Sequence, residues 1–455
     1  MRLVNEADQM AGGIEETSRS GLPAIGSDAS AARTASTTEF QRKGPASRHQ
    51  KSSTPSTLNV RSFGAVGDSR ADDTAAFQQA LNVAHNTGGG TVYAPPGRYL
   101  FKGSLSVPGG VTLRGSFGCV PSHPGIRDLK EVKPGDDGTV LMVTTGKGEE
   151  SGAPFMTLQT NSTVCGLVFY YPEQIIDGES HAYPWTIQMH GSNPAVFDVE
   201  LLNPYQGINT FGAARHNIRN VSGQPLRRGI FVDAIYDIGR IENVHFNPWW
   251  TFGTPAYKWQ FAHGEAFVFG HADWEFVFNT FCFGYKIGYK FIETSAGRCN
   301  GNFLGIAADD CNRAVLLENC APYGLLIVNG EFTAFHGDDP TIVEVDAQNK
   351  GVLRFSNSSF WGPCKQIAKI GGHGVVAFTD CTFDEWAHTN DRAAIQAASG
   401  SLLVHGCDFR QNSPHIRLGE GVERAVIAAN LFTGPAKIDN ASKKDVQIGL
   451  NAVST

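Results

Sequence analysis

Asp233, Glu265 and Asp273 are carboxylates whose spacing could bring them onto neighbouring turns of a repeating chain. Two adjacent carboxyl groups can divide acid and base work, one protonated and one ionised, when their surroundings split their pKa values. Asp233 with Glu265, or Asp233 with Asp273, is the pair expected to do this. An aromatic cover over one member would desolvate it and raise its pKa. The long insertion 247–263 holds material for such a cover in Trp249, Trp250, Phe252, Tyr257, Trp259 and Phe261, with Lys258 and His263 among them. Long insertions are usually functional. Exposed aromatic faces suit a sugar ring; the same residues could instead fold onto the protein wall as an apolar flap. Arg227, Arg228, Lys258 and His271 could hold substrate oxygens or carboxylates, the arginines through paired hydrogen bonds. Tyr236 follows Asp233 closely, and Trp274, next to Asp273, is compatible with a core position. A second insertion, 170–185, carries Glu173, Asp177, Glu179, His181, Tyr183 and Trp185, and could wall the same groove or pack on its own aromatics. On this reading Asp233→Asn abolishes turnover and leaves the melting temperature nearly unchanged.

Something must bring these residues together, and a repeat supplies it. From about 163 onward a short strand, a turn and a second strand recur. The second strand closes on a four-residue unit that opens with Asn, Asp or a small residue and ends on an apolar one. Examples are Asp198-Val199-Glu200-Leu201, Asn220-Val221-Ser222-Gly223 and Asn243-Val244-His245-Phe246. Later ones are Asn329-Gly330-Glu331-Phe332, Asn357-Ser358-Ser359-Phe360, Asp380-Cys381-Thr382-Phe383 and Gly406-Cys407-Asp408-Phe409. Weaker copies end near Phe281, Phe303 and Phe432. Their spacing of roughly 22 to 35 residues is one coil of a β-solenoid. Strands alternate faces, so each closing Phe points inward together with the residue two before it. Cys381 and Cys407 then stack inside beside Ser358 and Gly330 as free thiols. First strands of the coils are expected over 207–212, 229–234, 265–270, 289–294, 314–319 and 341–346. Asp233, Glu293, Glu318 and Asp346 sit near their ends, either stacked or merely facing water.

The ordered chain is expected to begin near Leu58 with a strand, a helix and more strands. Asp72-Asp73-Thr74 supplies the N-cap, and Phe77, Ala80, Leu81 and Ala84 share one helical face. Gly88-Gly89-Gly90 ends the helix. Laid over the first coil, that helix would close an otherwise open end.

The opening Phe63-Gly64-Ala65-Val66-Gly67-Asp68, with Asp72-Asp73-Thr74-Ala75-Ala76-Phe77 and then Gly88-Gly89-Gly90-Thr91-Val92-Tyr93-Ala94-Pro95-Pro96-Gly97, resembles that of the pectate-lyase-like superfamily. This superfamily of β-helix proteins includes polygalacturonase-related hydrolases and many phage tailspikes. The resemblance implies an all-β fold, a single-stranded right-handed parallel β-helix with an N-terminal capping helix. It implies carbohydrate as the substrate class without choosing a reaction, and it makes Asp68, Asp72 and Asp73 capping and turn residues. Of the polygalacturonase motifs, Asp309-Asp310 imitates the paired aspartates and Gly372-His373-Gly374 the Gly-His-Gly. More than two coils separate them and no Arg-Ile-Lys follows; Asp309-Asp310 also reads as a solvated turn. Carboxylates on adjacent coils would lie about 5 Å apart, as in retaining glycosidases, and two coils apart about 9 to 10 Å, near the inverting limit.

Three functions fit: a glycoside hydrolase, which the carboxylates favour; a polysaccharide lyase acting on uronic-acid glycans; and a non-catalytic glycan-binding tailspike or adhesin. No cofactor is expected, except that a lyase of the pectate kind would need Ca2+. The chain has 455 residues, which a solenoid accommodates as one domain over 58–450. Residues 1–57, rich in Ser, Thr, Ala and Gly, read as a disordered segment. A net charge of −7 without a basic block argues against nucleic acid and an anionic membrane surface. Nine cysteines without a C-x-x-C pair make neither a disulfide scaffold nor a zinc pattern. The start lacks the apolar run of a signal peptide, although an extracellular or cell-surface polysaccharide is the expected partner. Monomer and homotrimer both remain open.

Overall fold

The computed structural model describes residues 57–123, 138–388 and 391–454, so the segment 1–56 lies outside it. The strands run parallel and stack coil upon coil in three sheets. In the first sheet, Gln206, Arg228, Glu265, Ile287 and Arg313 are neighbours in register along successive strands. Long strands such as Ala195–Leu201 and Gly239–Phe246 turn from the second sheet into the third partway along their length.

That turn explains the recurring unit. Its opening residue is the bend: Asp198, Asn220, Asn243, Asn329, Asn357 and Asp380 all have φ between 47° and 56°. Asn and Asp tolerate the left-handed region better than other side chains. Stacked on neighbouring coils, their amides also bond one another. Asn220 Nδ2 donates to Asp198 Oδ1 (2.7 Å), Asn243 Nδ2 to Asn220 Oδ1 (2.8 Å) and Asn357 Nδ2 to Asn329 Oδ1 (2.8 Å).

The closing aromatics point inward, as expected. Phe332, Phe360, Phe383, Phe409 and Phe432 form one column with ring centroids 4.7 to 5.4 Å apart. Cys381 and Cys407 are buried free thiols beside it. Two of the weaker repeat assignments are off. Cys282, not Phe281, stands in register with Phe246, so Phe281 turns outward; a slip of one residue reverses a strand's faces. Phe303 is buried in the second sheet, and Ala308 takes the closing position of its coil. The first-sheet strands also end earlier than expected, at Asn209, Val232, Phe269, Phe291, Leu317 and Val345. Asp233, Glu293, Glu318 and Asp346 therefore begin turns.

Helix α1 (Thr74–Asn86) caps the first coil, burying Phe77, Ala80, Leu81 and Ala84. Phe77 wedges edge-on between Tyr99 and Phe101, 5.0 Å from each. Asp73 leaves its own helix uncapped and accepts from Val66 N and Gly67 N instead, while Asp72 takes Thr74 N. Asp68 accepts from Arg70 N and Ala71 N. All three acids are thus turn and cap groups. Among the described residues no helix is long and apolar enough to cross a membrane.

Candidate functional site

Glu265 opens the strand Glu265–Phe269 on the outer face of the first sheet. Its residue is only 8% exposed, yet its carboxylate is fully engaged. Arg227 Nη1 lies 3.2 Å and Arg228 Nε 3.3 Å from Oε2; Lys290 Nζ lies 3.1 Å from Oε1. Register explains the convergence. Arg228 pairs with Glu265 across one strand gap, and Lys290 points outward between buried Tyr289 and Phe291 on the next strand. Burial alone would raise the Glu265 carboxyl; Lys290, then Arg227 and Arg228, outweigh it and hold it below the usual carboxylate range. Lys290 Nζ also contacts Glu318 Oε1 at 3.3 Å. Phe231 stands in the same outward row as Lys290 and stacks on Trp185, centroids 6.1 Å apart. Here cations, an ionised carboxylate and flat apolar faces share one surface.

The expected pair Asp233 and Glu265 is not brought together. Asp233 follows the strand Arg228–Val232, whose Arg228 is level with Glu265, so five strand residues separate the two acids. At about 3.3 Å per residue that is roughly 16 Å, beyond either glycosidase separation. Nor does Asp233 stand free: 5% exposed, its Oδ1 accepts from Ala234 N, His271 N and Thr294 Oγ1, each at 2.8 Å. It stitches three consecutive coils. The outcome expected from the sequence is therefore revised. Asp233→Ala, which leaves those donors unpaired, should cost about 2 to 4 kcal/mol. Asp233→Asn keeps an oxygen acceptor and should retain most turnover. Urea unfolding beside a turnover assay checks both; an inactive, fully stable Asp233→Asn would restore the catalytic reading.

Asp273, His271 and Tyr236 gather at that far end of the first sheet. His271 Nε2 is 3.7 Å from Asp273 Oδ1, and the Tyr236 ring lies 4.6 Å from the imidazole. Trp274 is not core but 62% exposed.

The insertion 247–263 is the flap of the second reading. It contains helix α2 (Pro255–His263), with Thr254 as N-cap. Gln224 Oε1 accepts from Trp250 N (2.8 Å) and Thr251 N (3.1 Å), and its amide donates to Gln260 Oε1 (2.6 Å). Trp250 is buried against Val140, Val168, Leu202 and Leu226, so it cannot receive a sugar. Trp249 rests on His245, and Trp259 lies between Tyr205 and His263. Lys258 is exposed on α2. Arg227 Nη1 donates to the His263 carbonyl (2.8 Å), tying the flap to the cation cluster.

The insertion 170–185 packs on itself: Tyr171 and Tyr183 are buried 4.8 Å apart, and Glu173 lies 3.5 Å from Lys147. Ala256 N donates to the Ile176 carbonyl, so the two insertions do meet on one wall.

Asp309-Asp310 is not a solvated turn. Asp310 is buried, takes Tyr257 Oη from α2 (3.3 Å) and pairs with His336; burial pushes its carboxyl up. His373 pairs instead with Glu423. Lys290 and Phe231 were missed. The available signal was a charged or aromatic residue between two apolar ones in a short strand.

Residues 57–162 match the family described as Rhamnogalacturonase A/epimerase, pectate lyase-like. With its three-sheet coil, the chain is a right-handed parallel β-helix protein whose opening matches that pectate-lyase-like family. The chain is 38% identical over 108 residues to mannuronan C5-epimerase AlgE3 of Azotobacter vinelandii, covering 23% of this chain and 6% of that one. It is 35% identical over 94 residues to alginate lyase 7 of the same organism, covering 20% and 11%. The chain thus spans about a tenth or less of either curated relative. The catalytic unit of the thermostable GH87 alpha-1,3-glucanase from Streptomyces thermodiastaticus strain HF3-3 superposes with TM-score 0.51 at 14% identity, over 79% of this chain and 70% of that one. That likeness is one of fold alone. The family match ends before Arg227, so it assigns no role to the cation cluster.

Proposed function

We propose that the chain modifies an acidic polysaccharide on the outer face of its first sheet, by taking a proton from the carbon beside a uronate carboxylate. The carrying observation is the convergence of Arg227, Arg228 and Lys290 on ionised Glu265 next to the Trp185–Phe231 stack. Guanidinium groups bind carboxylates in paired geometry. Neutralising the substrate carboxylate in this way makes the adjacent C5 proton more acidic. Glu265, held charged, is the group to accept that proton. In a lyase the freed electron pair forms the C4–C5 double bond and the C4 oxygen leaves as a hydroxyl, protonated from solvent or an acid. In an epimerase the proton returns to the opposite face. Two similar proteins carry such activities in their names, a mannuronan C5-epimerase and an alginate lyase.

A second reading, glycoside hydrolysis, rests on Glu318. It and Glu265 contact the same Lys290 ammonium. The two contacts, 3.1 and 3.3 Å, bound the separation of their contacting oxygens at about 6.4 Å, which admits the retaining separation and falls short of the inverting one. In that reading the lowered Glu265 carboxyl is the ionised member, the nucleophile, and Glu318 is the acid.

Incubation with polymannuronate, polygalacturonate and neutral glucans separates the readings. Ultraviolet-absorbing unsaturated uronide marks a lyase, and deuterium uptake from heavy water without cleavage an epimerase. New reducing ends without absorbance mark a hydrolase; binding without product leaves a tailspike-like or adhesin-like binder and ends the enzyme proposal. Neutralisation here falls to side chains, and among the described residues no three His, Cys, Asp or Glu groups gather as a metal-ligand set. Activity should accordingly persist in EDTA within about twofold. Its loss, restored by Ca2+, would move that role from the arginines to a metal.

A further inference from the structure

On the far side of the turn that follows the first sheet, a cleft of about 470 Å³ opens between Trp274 and Tyr323. We propose that this cleft is a separate carbohydrate-binding site that takes an uncharged pyranose ring of a glycan chain. Both aromatic walls stand out in solvent, Trp274 62% and Tyr323 80% exposed. Large exposed aromatics that serve no packing carry a desolvation advantage waiting for a ligand.

Trp274 is held outward by its backbone. It has φ of 62°, a conformation bulky side chains avoid, and its N–H is fixed by Asn300 Oδ1 at 3.0 Å. The next residue, Glu275, is fully buried, so the turn cannot rotate the indole inward without pulling Glu275 out of the core. Strained backbone that the surroundings enforce is a reason to look for function.

Two glycines on adjacent coils, Gly301 and Gly324, line the floor of the cleft and let the coils approach closely. Gly301 N approaches the Gly324 carbonyl, and a Cβ on Gly301 would collide with the Glu275 backbone. The lining then offers what a pyranose requires. Leu326 and the two rings present apolar surface to the C–H faces, while Asn300 and Asn302 bring amides that both donate and accept towards hydroxyls. Asp273 adds an acceptor, with His271 3.7 Å away. Asp273 is the charged group of the lining and no Arg or Lys joins it, so an uncharged sugar fits and a uronate carboxylate would be repelled. This sets the cleft apart from the cation cluster, whose Glu265 opens the strand that ends before His271.

The test uses the full chain and hexasaccharides of glucose, mannose, galactose and galacturonate as probes. Isothermal titration calorimetry follows binding, and size-exclusion chromatography follows self-association. Trp274→Asn keeps a side chain that tolerates the left-handed backbone, and Tyr323→Ala lies on an exposed turn, so both variants should melt with the wild type. At least one neutral hexasaccharide should bind at millimolar concentration or below. Each variant should weaken that binding about tenfold or more, while Glu265→Gln should not. The proposal is overturned by no neutral binding, by equal binding in both variants or by preference for the galacturonate probe. It is overturned too if the variants dissociate an oligomer without altering glycan binding, which would make a second copy the occupant.

Discussion

Glu265→Gln is expected to lower turnover on the acidic substrate by about 10²–10⁴-fold, the range a positioned proton-transfer group supplies. The amide keeps the shape of the side chain but can neither accept the proton nor balance Arg227, Arg228 and Lys290, which lie 3.1 to 3.3 Å from the carboxylate. Three cations would then face one another across a mostly buried position, so the variant should also be less stable. The pH dependence separates the two effects. Glu265 has a carboxyl lowered in the folded protein, so its stabilisation is present above the unfolded carboxylate value of about 4.3 and is lost as pH falls through the folded value. The melting difference between wild type and variant should therefore be largest near neutrality and shrink below about pH 4. Turnover is measured below the variant's melting point. Wild-type rates in a folded Glu265→Gln protein would remove this residue from the chemistry.

The substitution also shows what sequence could and could not reveal. The fold was legible because its signals repeat. A left-handed bend at Asn220 is unremarkable alone, but the same residue type at Asn243, Asn329 and Asn357, each before a closing apolar residue, is a period. The capping helix was legible because its buried face is continuous in sequence. The site was not, because it depends on which strands lie level. Arg228 is 37 residues before Glu265 and joins it by register, and Lys290, 25 residues after it and level with Val268, reaches back along the strand. The insertion 247–263 falls between Arg228 and Glu265, so spacing alone could not place them. Asp233 misled for a related reason. Two of its three donors are backbone N–H groups, which leave no trace in residue type. Helix α2 did leave one in Thr254-Pro255, a cap followed by Pro at the first helical position. Its aromatics drew attention instead to sugar contact.

His216→Ala is expected to cost about 3 to 5 kcal/mol of stability, the penalty for removing one partner of a fully buried His–carboxyl pair. His216 Nε2 lies 3.1 Å from Glu275 Oε1, both side chains fully buried, and His216 Nδ1 is 3.0 Å from the Ala213 carbonyl. Loss of the ring would strand Glu275, whose other oxygen is already buried with no hydrogen-bond partner among the described residues. The pair spans 59 residues of sequence and bolts the turn that presents Trp274 to a coil further back. Gly239 is part of the arrangement, since a Cβ there would strike both Glu275 Oε2 and His216. Replacing both partners, as His216→Leu with Glu275→Met, removes the unpaired carboxyl and should recover most of the loss. The urea midpoints of the two single variants and the double variant form the cycle that measures this coupling. A His216→Ala protein within about 1 kcal/mol of wild type would mean that the coil tolerates an unpaired carboxyl here, either by protonating it or by admitting water.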